Sequence, residues 1–156
     1  MNEGRLESIN VSDGGVPKTP VPQGRVGPEG LEGDRQRDLR HHGGPDRAVC
    51  IYSLERIEAL EEEGHPIAPG TIGENFTLSG LDWDLMVPGA FVDVGEVRLE
   101  LTRHTSPCEA IAPSFHDGRF VRVSQKVHPG WSRFYARVVS EGVVRVGDRA
   151  RLVPPP

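Results

Sequence analysis

Val97-Arg98-Leu99-Glu100-Leu101-Thr102-Arg103-His104-Thr105-Ser106-Pro107-Cys108 is the stretch that decides the fold. Val97, Leu99 and Leu101 alternate with Arg98, Glu100 and Thr102, the period of two that marks a strand buried on one face. Pro107 has no N–H to donate and a fixed φ, so it ends any ladder that reaches it. Cys108 therefore falls just past a strand end, among hydrogen-bonding groups. A thiol serving packing alone would sit inside the apolar run. Here it is placed as a ligand or nucleophile.

Working outward, Gly95-Glu96 reads as a hairpin turn joining this strand to Ala90–Val94. Asn75 to Leu78, Phe134 to Ser140 and Ala150 to Val153 are further strand candidates, with turns at Glu141-Gly142 and Gly147-Asp148. Phe120 to Val127 fits both helical spacing and alternation. Leu6, Ile9 and Val11 suggest a first strand closed by Asp13-Gly14-Gly15, and Ala48 to Tyr52 is an apolar run that reads as a buried strand. Ser53 can cap a following helix whose Leu54, Ile57 and Leu60 share one face, with Gly64 as its stop. Residues 16 to 47 show little periodicity and read as irregular; a stretch of that length inside a compact domain is usually functional or disordered. Nineteen glycines and 14 prolines are scattered as punctuation between short elements. The expectation is a mostly β, barrel-like fold with a few short helices.

The 156 residues fit one domain, 1–156, with its core from about 16 to 153. The N-terminus has no apolar leader segment, and no apolar run approaches the ~20 residues of a membrane span. The expected compartment is the cytoplasm, where the two cysteines stay reduced and no Cys50–Cys108 disulfide forms. A net charge of −5 argues against nucleic-acid binding, which is driven by phosphate neutralisation. Residues 119 to 137 nevertheless carry Arg119, Arg122, Lys126, Arg133 and Arg137 and no acid, which reads as a solvated face or as the cradle of an anionic small ligand.

Cys50, between Val49 and Ile51, reads as core. Cys108 has Arg103 and His104 close by in sequence, groups that favour a thiolate. Of the six histidines (His41, His42, His65, His104, His116 and His128), none stands in the spacing of a structural or hydrolytic zinc site. A cysteine protease would need His104 or His42 against the thiol, which spacing does not establish. The loops Arg40 to Arg47 and Pro69 to Phe76 are glycine turns that read equally as structure or as ligand cradles.

The order of these pieces is more specific than any one of them. Gly30-Leu31-Glu32-Gly33-Asp34, His42-Gly43-Gly44, Gly70-x-x-Gly73-Glu74-Asn75, Ser106-Pro107-Cys108 and Gly142-x-x-x-x-Gly147-Asp148 together resemble the MOSC family, named for the C-terminal part of molybdenum-cofactor sulfurases. The resemblance runs from about Val16 to Val153. It implies a barrel-like fold and a cleft that binds a molybdenum–pterin cofactor or handles sulfur through the family cysteine. By motif position Cys108 would be both metal ligand and catalytic sulfur. Asn75 and Ser106 would contact the cofactor, and Lys18, in its Lys-x-Pro stretch, would contact the phosphate. His42 and Arg133 complete the candidate cofactor-binding set, while Glu74 lies in a motif without an assigned role. A soft thiolate suits such a metal, and glycine-loop N–H groups with Lys18 and arginines suit a phosphate.

The resemblance implies an oxidoreductase that reduces N-hydroxylated compounds with electrons from a separate donor, since two cysteines are too few for an iron–sulfur module. Two other readings stay open. One is a sulfur carrier that takes a persulfide on Cys108 from a donor protein. The other is a non-catalytic module for an anionic ligand.

Overall fold

The computed structural model describes residues 2–35 and 44–156. Its strands are β1 (Glu3–Val11), β2 (Thr19–Val21), β3 (Gln23–Gly27), β4 (Gly30–Leu31), β5 (Val49–Ser53), β6 (Phe76–Ser79), β7 (Phe91–Val94), β8 (Val97–His104), β9 (Phe134–Ser140), β10 (Gly142–Arg145) and β11 (Arg149–Val153). One α-helix, α1 (Leu54–Glu62), and several short 3-10 turns complete the described residues.

Seven strands close on themselves in the order β1-β11-β7-β8-β9-β5-β6-β1, with β2 added beside β1. Closure removes the open edges that an eight-stranded sheet would expose. Every pairing is antiparallel except β5 with β6. Parallel neighbours need a crossover, and α1 lies on the connection that supplies it. Ser53 Oγ accepts the Arg56 N–H at 3.1 Å at the start of this helix, Ile57 and Leu60 are buried, and Gly64 takes the left-handed φ of +100° after its end.

The alternating stretch that begins at Val97 is β8. Val97, Leu99 and Leu101 are buried and Arg98, Glu100 and Thr102 are not. Val94 pairs with Val97, which leaves Gly95-Glu96 as a two-residue hairpin turn. In β1, Leu6 and Ile9 are both fully buried although strict alternation would put them on opposite faces. An irregularity in the pairing with β6, between Leu6 and Ser8, shifts the register and lets both face the core.

Two expectations are corrected. Residues 16 to 47 are not irregular throughout: β2, β3 and β4 lie within them. The strand β10 is also new, in a stretch read only as turns. It pairs with β3 and then β4 in a second, three-stranded sheet. These strands are two to five residues long and bury few side chains, chiefly Val26, Leu31 and Val144. Such segments carry too few apolar positions to show a period. The ambiguous stretch from Phe120 forms a 3-10 turn over Phe120–Val123.

Candidate functional site

One end of the barrel holds a cavity of about 350 Å³. That lies within the range of small-molecule sites. Cys50 reaches it from β5, Asn75 from the residue before β6, and Tyr135 with Arg133 from the start of β9. Cys108, Ala110 and Ile111 line it from the segment after β8, Gly15, Val16 and Lys18 from the β1–β2 connection, and Ile72 and Gly73 from the loop before β6. Arg35 and Arg47 complete the wall.

Cys108 is exposed and is the residue from which a 3-10 turn begins at Glu109. It lines the cavity. Cys50 is buried, as read from its apolar neighbours, yet it lines the same cavity and was not recognised as a site residue. Burial pushes the Cys50 thiol up and Arg133 offsets part of that; its Sγ lies 3.8 Å from Thr105 Oγ1. Both cysteines are free.

Asn75 is a structural cross-tie. Its side-chain oxygen accepts the Cys50 N–H at 3.0 Å, and its amide donates to Asp34 Oδ2 at 2.9 Å. Asp34 also takes both short contacts from Lys18, whose Nζ stands 2.7 Å from each carboxylate oxygen. The two side chains are 7% and 3% exposed, so this is a buried pair. Lys18 thus reaches the cavity wall with its charge already matched.

Arg133 is the site's buried cation, 5% exposed. Its Nη1 donates to the Ile72 carbonyl at 2.7 Å, and its Nε is buried without a hydrogen-bond partner. The basic stretch from 119 to 137 does not form one face. Arg122 is clamped by Glu63, Arg137 pairs with Glu100, and Arg119 lies 4.0 Å from Asp117. Among these arginines Arg133 alone lines the cavity. Carboxylates distant in sequence pair with Arg122 and Arg137, which a local charge count cannot show.

Ser106 is exposed and stands outside the cavity wall, two residues before Cys108. His42 lies outside the described residues, with the first half of its loop. His104 is turned away from the role read for it: its Nδ1 shares a 2.6 Å hydrogen bond with Ser132 Oγ and its ring packs on Phe134 at 4.1 Å. Burial holds its pKa below the ordinary imidazole value. The ring is therefore less readily charged than an ordinary imidazole. No cluster of three His, Cys, Asp or Glu side chains that could hold a metal ion occurs among the described residues.

Tyr135 was also missed. It is the register partner of Cys50 across β5 and β9, and Arg47 lies over its ring with the guanidinium carbon 5.9 Å from the centroid. Cross-strand partners put their side chains on the same face of a sheet. Recognising Tyr135 required the register, which sequence alone does not give.

The family model described as MOSC domain matches residues 38–151. The chain belongs to the MOSC domain family. Among curated relatives, the uncharacterized protein YflK of Bacillus subtilis is 35% identical over 126 residues, covering 80% of this MOSC chain and 56% of YflK. Protein YiiM of Escherichia coli is 30% identical over 107 residues, covering 65% of this chain and 48% of YiiM. The MOSC chain thus spans about half the length of these two relatives. The crystal structure of YiiM from Geobacillus stearothermophilus superposes with a TM-score of 0.74 at 30% identity, over 96% of this chain and 75% of that one. Barrel and family were both expected from the sequence. No helix among the described residues is long and apolar enough to cross a membrane.

Proposed function

We propose that this MOSC domain binds a molybdenum–pterin cofactor in the cavity, with Cys108 as the protein's ligand to the metal, and acts as an oxidoreductase on N-hydroxylated compounds. The observation that carries the reading is one cavity holding both an exposed thiol and a buried guanidinium with an unpartnered N–H. An orphaned buried donor costs free energy that a ligand oxygen would recover. The donor set therefore fits the group: a soft sulfur for the metal and cationic donors for a phosphate.

Cys108 would hold the metal and Arg133 the anionic end, with Arg35 and Arg47 at the cavity wall adding positive charge. Asn75 positions rather than binds, because both ends of its amide are taken by Cys50 and Asp34. Val16, Ile72 and Ile111 supply apolar wall that excludes water and strengthens each polar contact inside. The bound cofactor would supply the two-electron chemistry for removing oxygen from an N–OH group. Protein side chains supply orientation and electrostatics, and electrons come from a separate donor.

Expression in a cofactor-competent host, with molybdenum and pterin analysis of the wild type and Cys108→Ser, tests this. Loss of molybdenum from the variant supports it; equal content in both removes Cys108 as ligand. The exposure of Cys108 favours one second reading, a carrier holding a persulfide delivered by a partner. Mass spectrometry of the native protein separates the two, because a sulfane adduct on Cys108 without molybdenum supports the carrier.

A further inference from the structure

Glu74 is fully buried, lies in the chain between Gly73 and Asn75 of the cavity wall, and has no part in the proposed chemistry. Its Oε2 accepts the Gly70 N–H at 3.0 Å and the Thr77 hydroxyl at 2.9 Å, while Oε1 has no partner. Arg133 is fastened to the same loop through Ile72 and also keeps one donor unpartnered. A buried cation and a buried carboxyl thus hang from one short loop. The charge of Arg133 is felt at Glu74, yet the unpartnered Nε and Oε1 show that neither satisfies the other.

We propose that Glu74 is the proton-accepting counterpart of Arg133, so that the cavity takes up an oxyanion together with one proton. The proposal rests on the reading that Arg133 receives an anionic group. With the cavity free of anion, an ionised Glu74 offsets the buried guanidinium. An oxyanion on Arg133 takes over that role, and the site would then hold two negative charges in a low-dielectric setting. Protonating Glu74 relieves the conflict. Burial already pushes this carboxyl up, against the hydrogen bonds from Gly70 and Thr77 and the charge of Arg133.

Among the described residues, Cys50 and Tyr52 on β5 also feel Glu74, and burial moves both above their ordinary values. Both stay protonated from pH 5.5 to 8.5. From the β1–β2 connection, Lys18 stands beside Gly73 with Asp34 as its paired carboxylate. No histidine of the described residues is among them.

Sulfate is the probe, because its charge is constant over this pH range. Titration calorimetry on cofactor-free protein at pH 5.5, 7.0 and 8.5 should show wild-type affinity falling with pH, by up to about tenfold per unit where Glu74 ionises in the anion-free protein. Glu74→Gln, a mimic of the neutral acid, should hold one affinity within about twofold. Two buffers of different ionisation heat should report uptake of up to one proton in the wild type and none in the variant. A flat wild-type profile, or a slope that survives in Glu74→Gln, overturns the proposal. Should the variant fail to fold, the wild-type proton count decides alone. Arg133→Gln should lose sulfate at every pH. A wild type that binds no sulfate at any pH refutes the anion-site reading itself, and the proposal with it.

Discussion

Asn75 ties Asp34 to Cys50, with one hydrogen bond of 2.9 Å to the carboxylate and another of 3.0 Å from the strand backbone. A single amide thereby fixes the segment carrying Asp34 against β5. Asn75→Ala leaves the buried Cys50 N–H unsatisfied. It should destabilise the protein by about 2 kcal/mol, the usual cost of stranding a buried donor. Urea unfolding measures this, and a change under 0.5 kcal/mol contradicts the tie.

The Lys18–Asp34 pair is buried on both sides. Removing one partner of such a pair costs about 3–5 kcal/mol, because the other charge stays behind in low dielectric. Lys18→Met should therefore be severely destabilised, and adding Asp34→Asn should restore more than half of the loss. A double variant no better than the single one would show that Asp34 is solvated without Lys18.

The two thiols should react in sequence. Iodoacetamide should alkylate Cys108 in the folded protein, while Cys50, only 6% exposed, should wait for denaturant. Peptide mass spectrometry reads the sites. Equal labelling under native conditions would contradict the burial of Cys50.

His104 should titrate below the ordinary imidazole value of 6.5. The unfolded chain then binds more protons than the folded one between the lowered pKa and the ordinary value. Stability contributed by the neutral ring is present above that ordinary value and is lost as pH falls toward the lowered one. NMR of the ring protons gives the midpoint, and a value at or above 6.5 would show that the ring is not desolvated.

Gly70 has a φ of +85°, and a Cβ there would stand 2.5 Å from the Lys18 carbonyl oxygen. Its N–H also holds Glu74. Gly70→Ala should cost about 2–4 kcal/mol through backbone strain and displaced chain. A thermal scan showing an unchanged midpoint would mean that the loop can move without loss.

Much of the fold was legible because β8, β9 and α1 are long enough to show a period and a cap. The small sheet was not, since strands of two to five residues hold one or two buried side chains each. At the site, Cys108 was visible from Pro107 and the strand end before it. Cys50 looked like core because its neighbours are core; only the register with Tyr135 shows that it faces the cavity. Likewise, nothing near Arg137 or Arg122 in sequence reveals Glu100 or Glu63 as their partners, so the basic stretch looked more open than it is.

The β1–β11 seam has a kinetic meaning. Glu3 meets Arg151 and Arg5 meets Arg149, so the cylinder shuts only when residues nearly 150 positions apart come together. Closing so long a loop is entropically late and slow. During synthesis, the flanks of β1 and β7 wait unpaired until β11 emerges, and that interval is when a nascent chain is most open to sticking to another.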